Sequence, residues 1–250
     1  MLYTQTLEKL RALRLEGMVQ ALEEQRQQKD IVQLDFEERL ALLVERQVLW
    51  KENRGLAVRL KNAQLKIPQA TLEDLDYRPS RGLKRAQIEQ LRASRWVQEH
   101  RNCLITGLTG TGKTWVACAL GHQACREGYR TCYFPAAKLF RALESAHADG
   151  SLPAFFKRLA RAGLLVIDDF GLAGVSGKLY RQFLEIIDDR HGSGATLMTS
   201  QFPVAQWHEV IGDATVADAI LDRLVHNAYR LVLKGESRRK TDSPLSMPAS

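Results

Sequence analysis

The apolar positions fall into two textures, and the change comes at Asn102. Before it, Leu7, Leu10, Met18, Ala21 and Leu22, with Arg14 in phase, recur at helical spacing and predict one helix. From Phe36 a second series, Leu40, Leu43, Val44, Leu60 and Ala63, predicts a long helix weakened at Gly55. Asp35 and Glu38 have the spacing of a reciprocal cap for its first turn, and Thr71 with Asp74, after Pro68, predicts a further helix start. After Asn102, short β-prone runs alternate with helix-length segments. Strands are expected at Cys103–Thr106, Thr131–Phe134, Leu164–Asp168, Thr196–Thr199 and Tyr229–Leu233. Such alternation implies an α/β fold whose mainly parallel sheet is covered on both faces, preceded by a small all-α unit. The expected organisation is a helical region over 1–75, an α/β domain over 76–240 and a loose tail over 241–250, where two prolines and three serines cluster.

Composition narrows the class without naming it. The chain has 250 residues, 45% hydrophobic and 26% charged, which suits a folded globular protein. No apolar run approaches the roughly 18 residues a membrane helix needs, and Met1–Leu10 does not read as a secretory leader; the expectation is a cytoplasmic protein with no membrane partner. Cys103, Cys118, Cys125 and Cys132 contain no CxxC pair and read as reduced structural thiols.

The formal charge of +7 is unevenly spread. Residues 1–45 hold six Lys/Arg against nine Asp/Glu, whereas residues 46–66 hold Arg46, Lys51, Arg54, Arg59, Lys61 and Lys66 against Glu52 alone. A second basic group, Arg78, Arg81, Lys84, Arg85, Arg92, Arg95 and Arg101, leads into the α/β domain. Charge runs are commonly solvated helix faces. Cations spaced along a helix also neutralise phosphates, giving salt-sensitive affinity for duplex DNA, and residues 46–66 are the candidate DNA-binding stretch.

The chemistry concentrates in two motifs. Gly107-Leu108-Thr109-Gly110-Thr111-Gly112-Lys113-Thr114 satisfies GxxxxGK[ST] between an expected strand and an expected helix. There the backbone N–H groups cradle phosphates, Lys113 sets a cation against the β- and γ-phosphates of a nucleoside triphosphate, and Thr114 offers a hydroxyl to Mg²⁺. Leu164-Leu165-Val166-Ile167-Asp168-Asp169 reads as a buried central strand that delivers two carboxylates to its C-terminal edge, where ligands bind in open α/β sheets. Asp168 is the candidate Mg²⁺ ligand, and Asp169 the group that orients or deprotonates the attacking water. Thr199, Ser200 and Gln201 end the next strand and are either an ordinary polar strand end or within reach of the γ-phosphate. Arg223, beside Asp222 on an expected helix, is either a surface pair or an arginine finger serving a neighbouring subunit. The basic run after Gly235 is an exposed turn unless one of its arginines reaches nucleotide.

Gly212 through Ala217-Asp218-Ala219-Ile220-Leu221-Asp222-Arg223-Leu224-Val225-His226-Asn227 to Lys234-Gly235-Glu236-Ser237 resembles the IstB-type transposition helper ATPases, AAA+ proteins related to the DnaC-type helicase loaders. Leu13-Arg14-Leu15-Glu16-Gly17-Met18 and Glu24-Gln25 are also similar to that family, so the resemblance spans nearly the whole chain. It implies a helical DNA-binding region ahead of an AAA+ core with strand order 5-1-4-3-2 and, in the short stretch after Leu233, a reduced lid. It implies ATP and Mg²⁺ as cofactors, a ring or helical homo-oligomer on duplex DNA, and activation of a cognate transposase. By position it implies Lys113 and Thr114 in the phosphate loop, Asp168 as magnesium acid, Asp169 as catalytic carboxylate, Gln201 as sensor, Arg223 as finger and Arg239 as a second sensor. AAA+ proteins more commonly carry glutamate where Asp169 stands; the helper and loader subgroup commonly carries this aspartate. The alternatives are a replicative helicase loader and a nucleotide-switched DNA-binding module with little turnover.

Overall fold

The computed structural model describes residues 2–172 and 174–236, Pro79 by its backbone alone. The chain divides into two compact units, Met1–Val58 and a second that begins at Arg59.

In the first unit, α1 (Leu2–Ala12) and α2 (Glu16–Gln27) stand where one helix was expected. The apolar series continues in phase across the break, but Arg14 adopts a left-handed backbone, φ 60°, and the Leu15 amide closes onto the Leu10 carbonyl. This is the bond that ends a helix with its carbonyls satisfied. α3 (Phe36–Ala63) is continuous for 28 residues, through Gly55. Its cap is the expected reciprocal pair: the Glu38 amide donates to Asp35 Oδ1 at 2.8 Å, and the Asp35 amide donates to Glu38 Oε2 at 3.0 Å. α2 meets α3 at Gly17, where an added Cβ would lie 2.7 Å from the Gln47 Cα. No larger residue fits that crossing without moving a backbone.

In the second unit, residues 59–75 pack with the α/β core, Ala63, Leu65, Ala70, Leu72 and Leu75 all buried. The helix start expected at Thr71 is a turn instead. Thr71 donates its hydroxyl to the Asp74 carboxylate at 2.6 Å, so the pair satisfies itself and leaves no cap for a helix. Two short helices, α4 (Arg85–Arg92) and α5 (Arg95–Gln98), lead to β1 (Cys103–Gly107) and α6 (Lys113–Arg126). There follow β2 (Thr131–Pro135), α7 (Ala136–Ala148), α8 (Leu152–Ala160), β3 (Leu164–Phe170), α9 (Gly177–Arg190), β4 (Ala195–Ser200), α10 (Trp207–Ile211), α11 (Ala214–Val225) and β5 (Tyr229–Leu233). All pairings are parallel and the order is β2-β3-β4-β1-β5, the expected sequence read from the opposite edge. Among the described residues no helix is long and apolar enough to cross a membrane.

Strand periodicity sorts the core. Leu165 and Ile167 join Phe170, Phe183, Tyr180 and Trp207 in one apolar cluster. Their neighbour Val166 faces the other way, towards Gly121 of α6. Asp168, two residues on, therefore shares the α6 side. Cys103, Cys118 and Cys125 are buried, Cys132 is half-buried, and all four thiols are free.

Candidate active site

The phosphate loop folds where β1 gives way to α6. Gly107 has φ 153°, and a Cβ there would lie 2.4 Å from the Leu233 carbonyl oxygen of β5, so only glycine passes. Gly112, φ 94°, turns the chain directly into α6. The Thr111 hydroxyl donates to the Leu108 carbonyl at 2.8 Å, and the Lys113 ammonium donates to the Gly107 and Leu108 carbonyls at 2.8 and 3.0 Å. Thr109, Gly110, Gly112, Lys113, Thr114 and Asp169 line a cavity of about 900 Å³, with Ile67, Asp74, Trp115 and Leu172 along its other walls.

Asp168 has no exposed surface and accepts from three hydroxyl groups, Thr199 at 2.6 Å, Tyr133 at 2.7 Å and Thr114 at 2.9 Å. The register explains the convergence. Tyr133 pairs with Val166 across β2 and β3, and Leu197 pairs with Val166 across β3 and β4, so residues 133, 166, 168 and 199 share one face. Burial, reinforced by the Asp168 charge, pushes the Tyr133 hydroxyl far above the ordinary phenol range, which keeps it a neutral donor. Lys66 adds a cation 4.0 Å from Asp168 Oδ2.

Asp169 is aimed differently. The β3–β4 ladder shifts register between Ile167 and Phe170, and Asp169 takes a left-handed backbone, φ 60°. Its amide donates to Thr199 Oγ1 at 2.9 Å. A bulge at the strand end thus turns the second carboxylate into the cavity while the first stays buried against α6. Thr199 thus donates to the Asp168 carboxylate and accepts from the Asp169 backbone amide. From the end of β4, Gln201 Oε1 accepts from the Thr109 hydroxyl at 3.0 Å, so this side chain also reaches the phosphate loop.

The donor set fits a nucleotide and a hard divalent ion. The glycine-bounded loop and the N-terminus of α6 present amides and a cation to phosphate, and a threonine hydroxyl beside a desolvated carboxylate offers the oxygen ligands Mg²⁺ prefers. Among the described residues no group of three or more His, Cys, Asp or Glu could hold a metal ion.

Other expected site residues lie apart. Arg223 on α11 is ion-paired with Asp188 of α9 and donates to the Ala219 carbonyl at 2.8 Å. The Asn102 side chain, just before β1, donates to the Arg223 carbonyl at 2.9 Å, which puts Arg223 by the N-terminal edge of the sheet. The phosphate loop is at the opposite edge, roughly 16 Å away along five residues of β1. Of the six cations of residues 46–66, Arg46 pairs with Glu24, the Arg54 guanidinium lies 5.0 Å from the Trp50 ring centroid, and Lys51 and Lys61 are exposed. Arg59 instead donates to the Cys125 carbonyl at the end of α6, 2.7 Å, and Lys66 faces Asp168. Arg239 lies outside the described residues.

Tyr133 and Trp115 were missed. The Trp115 indole nitrogen is buried beside the cavity with no hydrogen-bond partner among the described residues, and its place directly after Thr114 was the available signal. Nothing in the sequence around Tyr133 points to Asp168.

Solved structures with the same core architecture include DnaI (TM-score 0.56, 21% identity, covering 66% of this chain and 92% of that one) and the DnaC helicase loader (TM-score 0.53, 22% identity, 66% and 97%). At that identity the likeness establishes the AAA+ fold alone. Sequence relatives are nearer. An insertion sequence ATP-binding protein of Sinorhizobium fredii is 45% identical over 244 residues, 98% of each chain. The IS21 ATP-binding protein of Pseudomonas aeruginosa is 31% identical over 233 residues, covering 93% of this chain and 86% of that one. The sequence profile of the IstB-like ATP binding proteins matches residues 8–246, and with the phosphate loop, the paired aspartates and the AAA+ sheet in place, this chain belongs to that family.

Proposed function

We propose that the chain is a Mg²⁺-dependent ATPase that assembles as a homo-oligomer on duplex DNA and activates the transposase of its insertion sequence. The observation that carries the ATPase reading is the joint placement of Thr114, Asp168 and Asp169 at the mouth of the phosphate loop, where Thr199 donates to the buried Asp168 carboxylate and accepts from the Asp169 backbone amide. Membership of a family whose relatives are named insertion sequence ATP-binding proteins supports the transposition context over a helicase loader.

In this mechanism the loop amides and Lys113 bind the phosphates and neutralise their charge. Thr114 and Asp168 would hold Mg²⁺, which supplies further charge neutralisation on the phosphoryl oxygens. Tyr133 and Thr199 hold Asp168 as a rigid acceptor. Asp169, turned into the cavity by the bulge, accepts a proton from the attacking water; the water oxygen bonds to the γ-phosphorus, the bridging P–O bond breaks, and ADP leaves with its electron pair. Gln201 orients that water from the β4 side. Arg223 is too far from its own phosphate loop and acts on the loop of a neighbouring protomer. The exposed cations of residues 46–61 grip DNA phosphates without reading bases.

The test is ATP turnover by the full chain with and without duplex DNA, combined with imaging of the particles formed. DNA-stimulated hydrolysis by DNA-bound oligomers is expected. Turnover that ignores DNA, from a chain that stays monomeric on it, would overturn the assembly reading and leave a simple ATPase.

A further inference from the structure

Lys66 was counted among the DNA cations by its position in a basic run, and the structure gives it a different neighbour. It follows α3 by three residues, after a left-handed turn at Gln64, φ 53°. The segment around it is fixed on both sides. Leu65 packs on α6 so closely that a Cβ on Gly121 would lie 3.0 Å from Leu65 Cδ2, and Ile67 lines the nucleotide cavity. Lys66 therefore reaches Asp168 from an anchored backbone rather than from a wandering loop.

We infer that Lys66 is a metal-tuning residue, a tethered cation beside the Asp168 carboxylate that weakens the site's hold on Mg²⁺. The inference rests on the reading of Asp168 and Thr114 as the metal ligands. At 4.0 Å the ammonium is beyond hydrogen-bond distance, so the contact is electrostatic. The carboxylate has three hydroxyl donors of its own and does not need the lysine for satisfaction. A divalent ion entering between Thr114 and Asp168 meets a fixed positive charge. Repulsion at that range, in a site open to water on one side, lowers affinity by about tenfold, and less as salt rises. The Lys66 side chain is 48% exposed, so its removal leaves no buried group unpaired. The consequence for the reaction is a site that holds metal loosely enough to exchange between turnovers, with metal occupancy pushing on the segment that follows α3.

The experiment titrates Mg²⁺ against the full chain at fixed ADP and reads nucleotide binding by calorimetry, with no turnover involved. Lys66→Met should lower the Mg²⁺ midpoint about tenfold and Lys66→Arg should leave it at the parent value. The gap should narrow as KCl is raised, and ADP binding in excess EDTA should be unchanged. Asp168→Asn is the reference arm and should raise the midpoint strongly. If Asp168→Asn does not move it, the metal-ligand reading fails and this inference with it. If Asp168→Asn moves it while Lys66→Met does not, the tuning role alone is overturned. A Lys66→Met chain that binds ADP more weakly in EDTA would also overturn it, by making Lys66 a phosphate ligand.

Discussion

The two compact units differ in how far their own residues finish their surfaces. In the second unit the sheet carries helices on both faces, and the strand residues Leu104, Ile105, Leu165, Val166, Ile167 and Met198 are essentially unexposed. In the first, Leu7, Val19, Ala21 and Ile31 are buried while Phe36, Leu40, Leu42, Val44, Val48 and Leu49 stand open along α3. A close-packed core fixes side chains to one geometry, and fixed geometry is what hydrolytic chemistry requires. An elongated helix with mixed apolar and cationic positions offers a surface instead, suited to contacts spread over a polymer or another protein. Under the proposed function the difference assigns nucleotide chemistry to the second unit and the grip on DNA to the exposed cations of α3.

Three perturbations sharpen that division. The largest effect is expected from Arg223→Ala, which should cut hydrolysis in the oligomer by about 10³-fold, the scale of an arginine finger. Mixing it with Asp169→Asn should restore part of the activity, because an intact Arg223 can then face an intact Asp169. Mixed oligomers that form and stay inactive would remove the trans assignment. Next, Lys113→Ala should lower turnover by about 10²–10³-fold and weaken ATP binding while the melting profile changes little. A parental rate in that variant would mean that the phosphate loop is not the reacting site. The smallest effect is on DNA. Lys51→Ala, Arg54→Ala and Lys61→Ala together should reduce the slope of log affinity against log salt by about 2.7, equally on unrelated duplex sequences, with nucleotide binding unchanged. A parental slope would move the DNA surface to the second basic group. Arg59 and Lys66 are left out of that set because the structure commits them to Cys125 and Asp168.

What was legible in the sequence follows the same division. The phosphate loop and the Leu164–Asp169 strand announce themselves because their function depends on consecutive residues, and the five strands emerge because buried parallel strands are short unbroken apolar runs. The capping pair at Asp35 and Glu38 was equally local. The break at Arg14 was not, since apolar residues stay in phase across it and only the backbone reverses. Tyr133 was invisible for another reason: its contact with Asp168 depends on the β2–β3 register, which pairs it with Val166 and so sets it on the face of Asp168. Lys66 was misleading because composition counts charge and does not see which carboxylate a lysine faces.

The central claim is that Asp169, bent into the cavity beside the buried Asp168, is the group that drives hydrolysis while the rest of the site binds nucleotide. Single-turnover hydrolysis of ATP by DNA-bound Asp169→Asn, with ATP binding measured on the same samples, tests it most directly. The account predicts near-parental binding and a hydrolysis rate lowered by at least about 10²-fold, the scale of a positioned general base. Parental hydrolysis by that variant would contradict it.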